Sequence, residues 1–450
     1  MLAYFNKYKS HYAATIKLGI PIVLGQLGIV LVGIVDNVMV GRHGTEDLAA
    51  ASFVNSVFNI PVLFGLGFSY GLTPLVGQLF GSNQQSKIGG LLKNSILVNL
   101  LIGVLLFIIM GILYFNVHKL GQPEDLLPYI RPYFILQLIS LPFVMAFNSF
   151  KQFSDGITDT KTPMWIMLSA NGLNIIGNLL LIYGYWGFPE MGLTGAGIST
   201  LISRIYMLLM FVFVFATNNK YKIYLQGYKT AKHNKAIIKL LNKMGIMVGL
   251  QMGMETSLFS LTGIMIGWLG KIELAAHQAV VSVSTMGFMV YYGVGAALSI
   301  RVSNFYGQKD MVNARKASLA GFHLIMLLAF IVACIFFIGR NYIGQIFTKS
   351  EDVIHIVSIL MVIMIFYQFG DGLQITFANS LRGISDVTSM AIISFIGYFI
   401  IALPVSYVMG FVFNWGIAGV WLGYPIGLTI TGIILCARFL YMIKKLSIKN

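Results

Sequence analysis

The sequence predicts an all-α integral membrane protein of twelve transmembrane helices, arranged as two parallel six-helix repeats. Three observations carry that reading. Of 450 residues, 57% are hydrophobic and only 10% are charged, with a mean hydropathy of +0.81; an ordinary soluble domain has roughly 25% charged residues. Long apolar runs recur from end to end, and the second half of the chain repeats the first at a nearly constant spacing. A soluble enzyme of this size could not hide so much apolar surface. A crossing helix needs about 20 apolar residues, so twelve take roughly 240 to 300 and leave no room for a soluble domain.

Taken in order, the first apolar run extends from about Lys17 to Val40. It has a basic approach but is too long for a cleaved signal and lacks a small-x-small cleavage site, so it is expected to stay as a helix. Pro21 in this run, and Pro61 and Pro74 in the second, which begins near residue 50, remove ladder hydrogen bonds and permit bends. Further runs begin near residues 92, 125, 163 and 193. A basic, polar loop then separates them from six more, beginning near residues 238, 275, 318, 353, 388 and 416. This divides the chain into an N-terminal lobe (1–217), a linker (218–237) and a C-terminal lobe (238–450). The two cysteines, Cys334 and Cys436, lie inside apolar runs and read as lipid-facing or packing residues.

The net charge of +15 could suggest nucleic acid, but its distribution points to the bilayer. With twelve spans both termini share a side, and that side holds 22 of the 30 Lys and Arg. The opposite loops hold six: Arg42, Lys119, Arg131, Lys271, Arg340 and Lys349. Both termini and the linker are therefore expected in the cytoplasm, with no nucleic-acid partner. Arg204 and Arg301 fall within spans. Arg301 is expected to snorkel near a cytoplasmic helix end, and Arg204 to cap a neighbouring helix.

Aligning residues 41–81 with 267–307 gives twelve identities, among them Gly41 with Gly267, Gly44 with Gly270, Gly67 with Gly293 and Gly81 with Gly307. A second match sets NSFKQFSD (148–155) against NSLRGISD (379–386). Glycines recurring in register suit close helix approach in lipid. Six spans per copy is an even number, so the copies insert in the same orientation, with a cavity expected between them near the midplane.

Of the 15 acidic residues, twelve fall in expected loops. Asp36, Glu255 and Asp371 do not. A charge at membrane depth costs at least about 2.5–3.5 kcal/mol, and no basic residue lies within one helical turn of any of the three, which favours function over a local ion pair. The repeat does not duplicate them: Glu255 aligns with Ile29, Asp36 with Thr262 and, through the second match, Asp371 with Ser140. If Glu255 and Asp371 approach each other, a proton or a hard cation is needed to neutralise them. Tyr367 precedes Asp371 by four residues and shares its face, as an oxygen ligand or as an ordinary packing aromatic. Asn174 with Asn178, and Ala196 with Thr200, are likewise one turn apart. Around Asp36 they would make a Na⁺ cage, or simply bond neighbouring helices.

DNVMVGRHGTEDLAAAS (36–52), LAAHQA (274–279), Glu255 and FGDGLQ…NSLRG around Asp371 together resemble the multidrug and toxic compound extrusion (MATE) family, over essentially the whole chain. The likeness is to its bacterial NorM-like branch. The resemblance implies a V-shaped transporter in the cell (inner) membrane that expels amphipathic organic cations, drugs and dyes among them, in exchange for inward Na⁺ or H⁺. A monomer needing no cofactor beyond that ion is expected. By resemblance, Glu255, Tyr367 and Asp371 bind the cation and substrate in the second lobe, while Asp36, Asn174 and Thr200 match a first-lobe ion site. Asn178 stands where some proton-coupled relatives have Asp, which turns the reading towards Na⁺. Ser56 and Gln278 match cavity-lining positions. Na⁺ is thus expected at Asp36, Glu255 and Asp371.

A lipid-linked oligosaccharide flippase of the related exporter superfamily is the main alternative. It should carry a cationic cavity for pyrophosphate, whereas this chain buries acids. An intramembrane enzyme would need a nucleophile–base pair or a metal cluster, and no HExxH, GxSxG or paired-aspartate motif occurs, so no enzyme is expected.

Overall fold

The computed structural model describes residues 2–120 and 123–449, and among them the regular structure is helical throughout. The first lobe's sequence forms α1 (Leu2–His43), α2 (Thr45–Tyr70), α3 (Leu72–Gly81), α4 (Gln85–Phe115), α5 (Leu127–Gly156), α6 (Lys161–Tyr183) and α7 (Gly192–Thr217). After the short α8 (Lys222–Thr230) come α9 (Lys235–Gly267), α10 (Lys271–Gly307), α11 (Met311–Phe347) and α12 (Glu351–Gly383). The chain ends with α13 (Val387–Phe395), α14 (Leu403–Tyr407) and α15 (Gly416–Lys449). Most helices begin before the apolar runs do, because the backbone ladder continues past the hydrophobic stretch into polar ends.

Among the described residues, eleven helical stretches are long and apolar enough to cross a bilayer. Some join two helices across a small break: Gly71 separates α2 from α3, and α13 and α14 are continuous with wide π-type turns at Ile396–Ala402 and Val408–Val412. The expected seventh span, α9, is not among the eleven. It is 33 residues long, but Gln251, Glu255, Thr256, Ser257, Ser260 and Thr262 dilute its apolar character.

The linker 218–237 is not an open loop. Within it α8 packs its backbone onto α4: a Cβ on Gly89 would stand 2.1 Å from the Tyr224 carbonyl oxygen, and one on Gly227 would stand 2.2 Å from that of Ser86. Only glycine permits that approach.

The chain packs as two compact units, Leu24–Gly249 and Met1–Val23 with Leu250–Asn450. Their boundaries fall inside α1 and α9, not at the linker where the sequence reading placed the lobe boundary. Two contacts show why. In one unit Arg301, buried, donates to the His11 carbonyl and the Thr15 hydroxyl, both at 2.7 Å, holding the first part of α1 against α10. Arg301 is therefore an internal tether and does not snorkel. In the other unit α9 begins against α3, where a Cβ on Gly71 would lie 2.7 Å from the Gly245 nitrogen.

Two pairs of turns reveal the register of the repeat. After α3, Asn83 takes φ 57°, and after α10 Lys309 takes φ 61° with the same hydrogen bonds, 226 residues on. After α5 Thr158 takes φ 66°, its nitrogen bonding the Asp155 carbonyl; after α12 Ser385 takes φ 62°, bonding that of Arg382. That offset is 227. The match of 148–155 to 379–386 is therefore four residues out of register, and Asp371 corresponds to Val144 instead of Ser140. Four residues are close to one helical turn, so the slip kept every side chain on nearly the same face. In the corrected register Asp159 corresponds to Asp386, and both are anchors: Asp159 meets Lys220 at 2.9 Å, and Asp386 meets Arg438 at 2.7 Å.

Candidate functional site

The unit Leu24–Gly249 holds the first carboxylate cluster. Asp36 sits on α1 past the Pro21 position, half-buried, and Asn178 of α6 donates to its Oδ1 at 2.6 Å. The Asn178 amide also reaches Asn174 Oδ1 at 3.4 Å, and Asn174 Nδ2 lies 3.3 Å from Thr200 Oγ1 on α7. The four first-lobe residues expected from the sequence thus form one continuous chain of polar contacts. Ser199, unforeseen, closes it by donating to the Asn174 carbonyl at 2.8 Å.

Asp36 opens onto a cavity of about 540 Å³ that Asn55, Tyr133, Gln137, Asn174, Thr200 and Arg204 also line. Arg204 caps no helix end. It donates to Gln137 Oε1 at 2.7 Å and to the Ser140 hydroxyl, so a guanidinium shares the cavity with the carboxylate. The cavity wall also includes Lys151, which pairs with Asp155 at 2.8 Å. Both lie buried on α5, although the sequence reading had placed Asp155 in a loop. Their spacing of four residues was the signal that could have found the pair.

The second unit holds Glu255 and Asp371. Glu255, on α9, accepts from Gln251 Nε2 at 2.9 Å and from the Tyr398 hydroxyl at 3.5 Å. Tyr398 in turn accepts from Gln374 at 2.6 Å, and Arg382 donates to Gln251 Oε1 at 3.3 Å. Tyr398 reaches the site from the π-type turn before Pro404. Proline cannot donate to the preceding turn, and a widened turn there re-aims side chains. Asp371, on α12, is 1% exposed, and neither of its oxygens has a hydrogen-bond partner among the described residues. It lies close enough to Glu255 for the two charges to interact.

Tyr367 is buried beside Asp371 and packs edge-on against Phe259 and Tyr424, with ring centroids at 6.4 and 6.2 Å. Its packing role is evident. Ser56 and Gln278 are not brought to either cluster: both are exposed, and the Ser56 hydroxyl turns back to the Ser52 carbonyl at 2.8 Å. Gln251, Gln374 and Tyr398 were not foreseen. As uncharged groups in apolar helices they gave no signal of their own.

Such sites suit a hard monovalent cation or a proton. They combine carboxylates with neutral amide and hydroxyl oxygens.

Comparison with known proteins agrees with this architecture. The MatE family model matches residues 21–180 and, a second time, residues 248–408. The chain is 32% identical to the multidrug resistance protein NorM of Photobacterium profundum over 445 residues, covering 96% of each. It is 30% identical to NorM of Vibrio cholerae, covering 98% of each. Its fold superposes on a MATE transporter crystallised in the bent conformation with a TM-score of 0.89 at 18% identity, covering 97% of this chain and 96% of that one. The bent form of the Vibrio cholerae MATE transporter VcmN gives 0.86 at 16% identity, covering 98% and 99%. Twice matched by the family model and aligned end to end with NorM proteins, the chain belongs to the multidrug and toxic compound extrusion (MATE) family of membrane transporters.

Proposed function

We propose that this protein is a multidrug efflux antiporter of the cell membrane, exporting amphipathic organic cations in exchange for Na⁺ by alternating access. In this reading α9 is the seventh of twelve spans, and the two halves are parallel six-helix repeats with both termini in the cytoplasm. The double family match supports the repeats, and the names of the NorM relatives support drugs as cargo. The observation that carries the ion coupling is Asp371, enclosed at 1% exposure with neither oxygen hydrogen-bonded among the described residues. An ionised carboxylate cannot stay so at low cost; a bound cation or proton must neutralise it.

The cycle follows from that requirement. A cationic drug and the coupling ion compete for the same few carboxylates. The entering ion neutralises them and releases the drug outward, and ion release on the inner side resets the carrier. Each elementary charge crossing 100 mV is worth about 2.3 kcal/mol. One monovalent drug exchanged for one Na⁺ moves no net charge, so the ion's concentration gradient would then do all the work. Asn174, Asn178 and Thr200 beside Asp36 supply neutral oxygens, which suits Na⁺ better than a bare proton relay.

The test is efflux from drug-loaded cells at fixed external pH. Adding Na⁺ outside should speed efflux, and K⁺ should not substitute. Efflux driven by a pH gradient and indifferent to Na⁺ would assign the coupling to protons.

A further inference from the structure

The inference rests on the antiport reading and extends it to residues not so far given a role. On α12, Gln368 precedes Asp371 by three residues and so shares its face. Gln368 is fully buried, and among the described residues neither its Oε1 nor its Nε2 has a hydrogen-bond partner. Tyr291 of α10 is also fully buried, and its hydroxyl too has no hydrogen-bond partner among the described residues. Buried amides and hydroxyls are almost always bonded, so three such groups unpaired together call for an explanation.

Gly287, four residues before Tyr291 on the same face of α10, supplies the geometry. A Cβ built there would stand 3.6 Å from Gln368 Oε1 and 4.0 Å from the Tyr291 hydroxyl. Both oxygens therefore border the position that a side chain at 287 would take, as does Val332 Cγ1 at 3.6 Å. Glu255 differs: its carboxylate already holds Gln251 and Tyr398.

We propose that Gln368 Oε1 and the Tyr291 hydroxyl join Asp371 as ligands of one monovalent cation, with Gly287 keeping their cradle open. The set discriminates between the two candidate ions. A proton on Asp371 forms one O–H bond and needs one acceptor, which leaves the remaining groups unpaired. Na⁺ gathers all three oxygens at once, in the manner of hard cations. Gln368 and Tyr291 are thus selectivity residues, and removing either should leave a site that a proton fills better than Na⁺.

The experiment measures Na⁺ binding to the purified full-length protein in detergent, by calorimetry at several pH values. Gln368→Leu and Tyr291→Phe should each weaken Na⁺ binding about tenfold or more, and Asp371→Asn should abolish binding at this site. Gly287→Ala should do likewise by filling the space. It is expected to fold, since its new Cβ meets nothing nearer than 3.6 Å, and thermal melting without Na⁺ checks this. Wild-type affinity in all three variants, with loss only in Asp371→Asn, would overturn the cradle while leaving the carboxylate site standing. A wild-type protein that takes up no Na⁺ would overturn the cradle and the Na⁺ antiport reading together.

Discussion

The side-chain amide of Asn178 donates to Asp36 at 2.6 Å although 142 residues separate them in the chain. That bond fixes α6 against α1 at the mouth of the first-unit cavity. It also orients the Asp36 carboxylate without neutralising its charge, as the proposed ion site requires.

Removing the donor should therefore unsettle the ion site more than the fold. A hydrogen bond to a charged group contributes about 1.5–3 kcal/mol, so Asn178→Leu should lower Na⁺-stimulated efflux roughly tenfold to a hundredfold. Surface expression measured in parallel should be unchanged. Full efflux at normal expression would remove Asn178 from the site.

Asp159 gives a prediction for pH. Burial opposes its charge, but donors from Tyr221 at 2.5 Å, Thr162 at 2.8 Å and Lys220 at 2.9 Å outweigh that and hold its carboxyl below the ordinary carboxylate range. A depressed folded-state value contributes stability that is present above the unfolded value, about 3.9. That contribution is lost as pH falls through the folded value. The melting temperature of the detergent-solubilised protein should fall steeply below about pH 4. Asp159→Asn should melt lower at neutral pH and show a shallower acid slope; an unchanged slope would contradict the assignment.

The packing of α8 on α4 makes a sharper structural claim. Gly89→Ala and Gly227→Ala each place a Cβ within 2.2 Å of a backbone carbonyl oxygen, where no side chain can move aside. Both should cut the yield of monodisperse protein in fluorescence-detected chromatography several-fold. Gly111→Ala, whose Cβ meets nothing within 4 Å, should not.

The proposed orientation rests on the asymmetry of basic residues. In a background lacking Cys334 and Cys436, a cysteine at the exposed Lys232 should react with an impermeant maleimide only after the cells are opened. Labelling from outside would invert the topology.

The apolar runs made the spans legible, since about 20 apolar residues in a row have few other uses. Asp36, Glu255 and Asp371 stood out because their charges are costly at that depth, and the fold places Asn174, Asn178 and Thr200 in a chain of polar contacts leading from the first of them. The register of Asp371 was misread because a slip of four residues barely changes a helix face. Gln251, Gln368, Gln374 and Tyr398 escaped notice for a different reason. Uncharged polar side chains are common in membrane helices, and only the packing shows which of them are buried. The split of α1 between units was hidden too, because it depends on Arg301 reaching His11 and Thr15 across nearly 290 residues.

The most direct measurement is efflux of a cationic dye from proteoliposomes containing the purified protein, under an inward Na⁺ gradient at equal pH and, separately, an inward H⁺ gradient without Na⁺. The expected result is Na⁺-driven efflux that Asp371→Asn abolishes at equal reconstitution. Efflux by Asp371→Asn at the wild-type rate under either gradient would contradict the claim that the buried carboxylate couples ion entry to drug export.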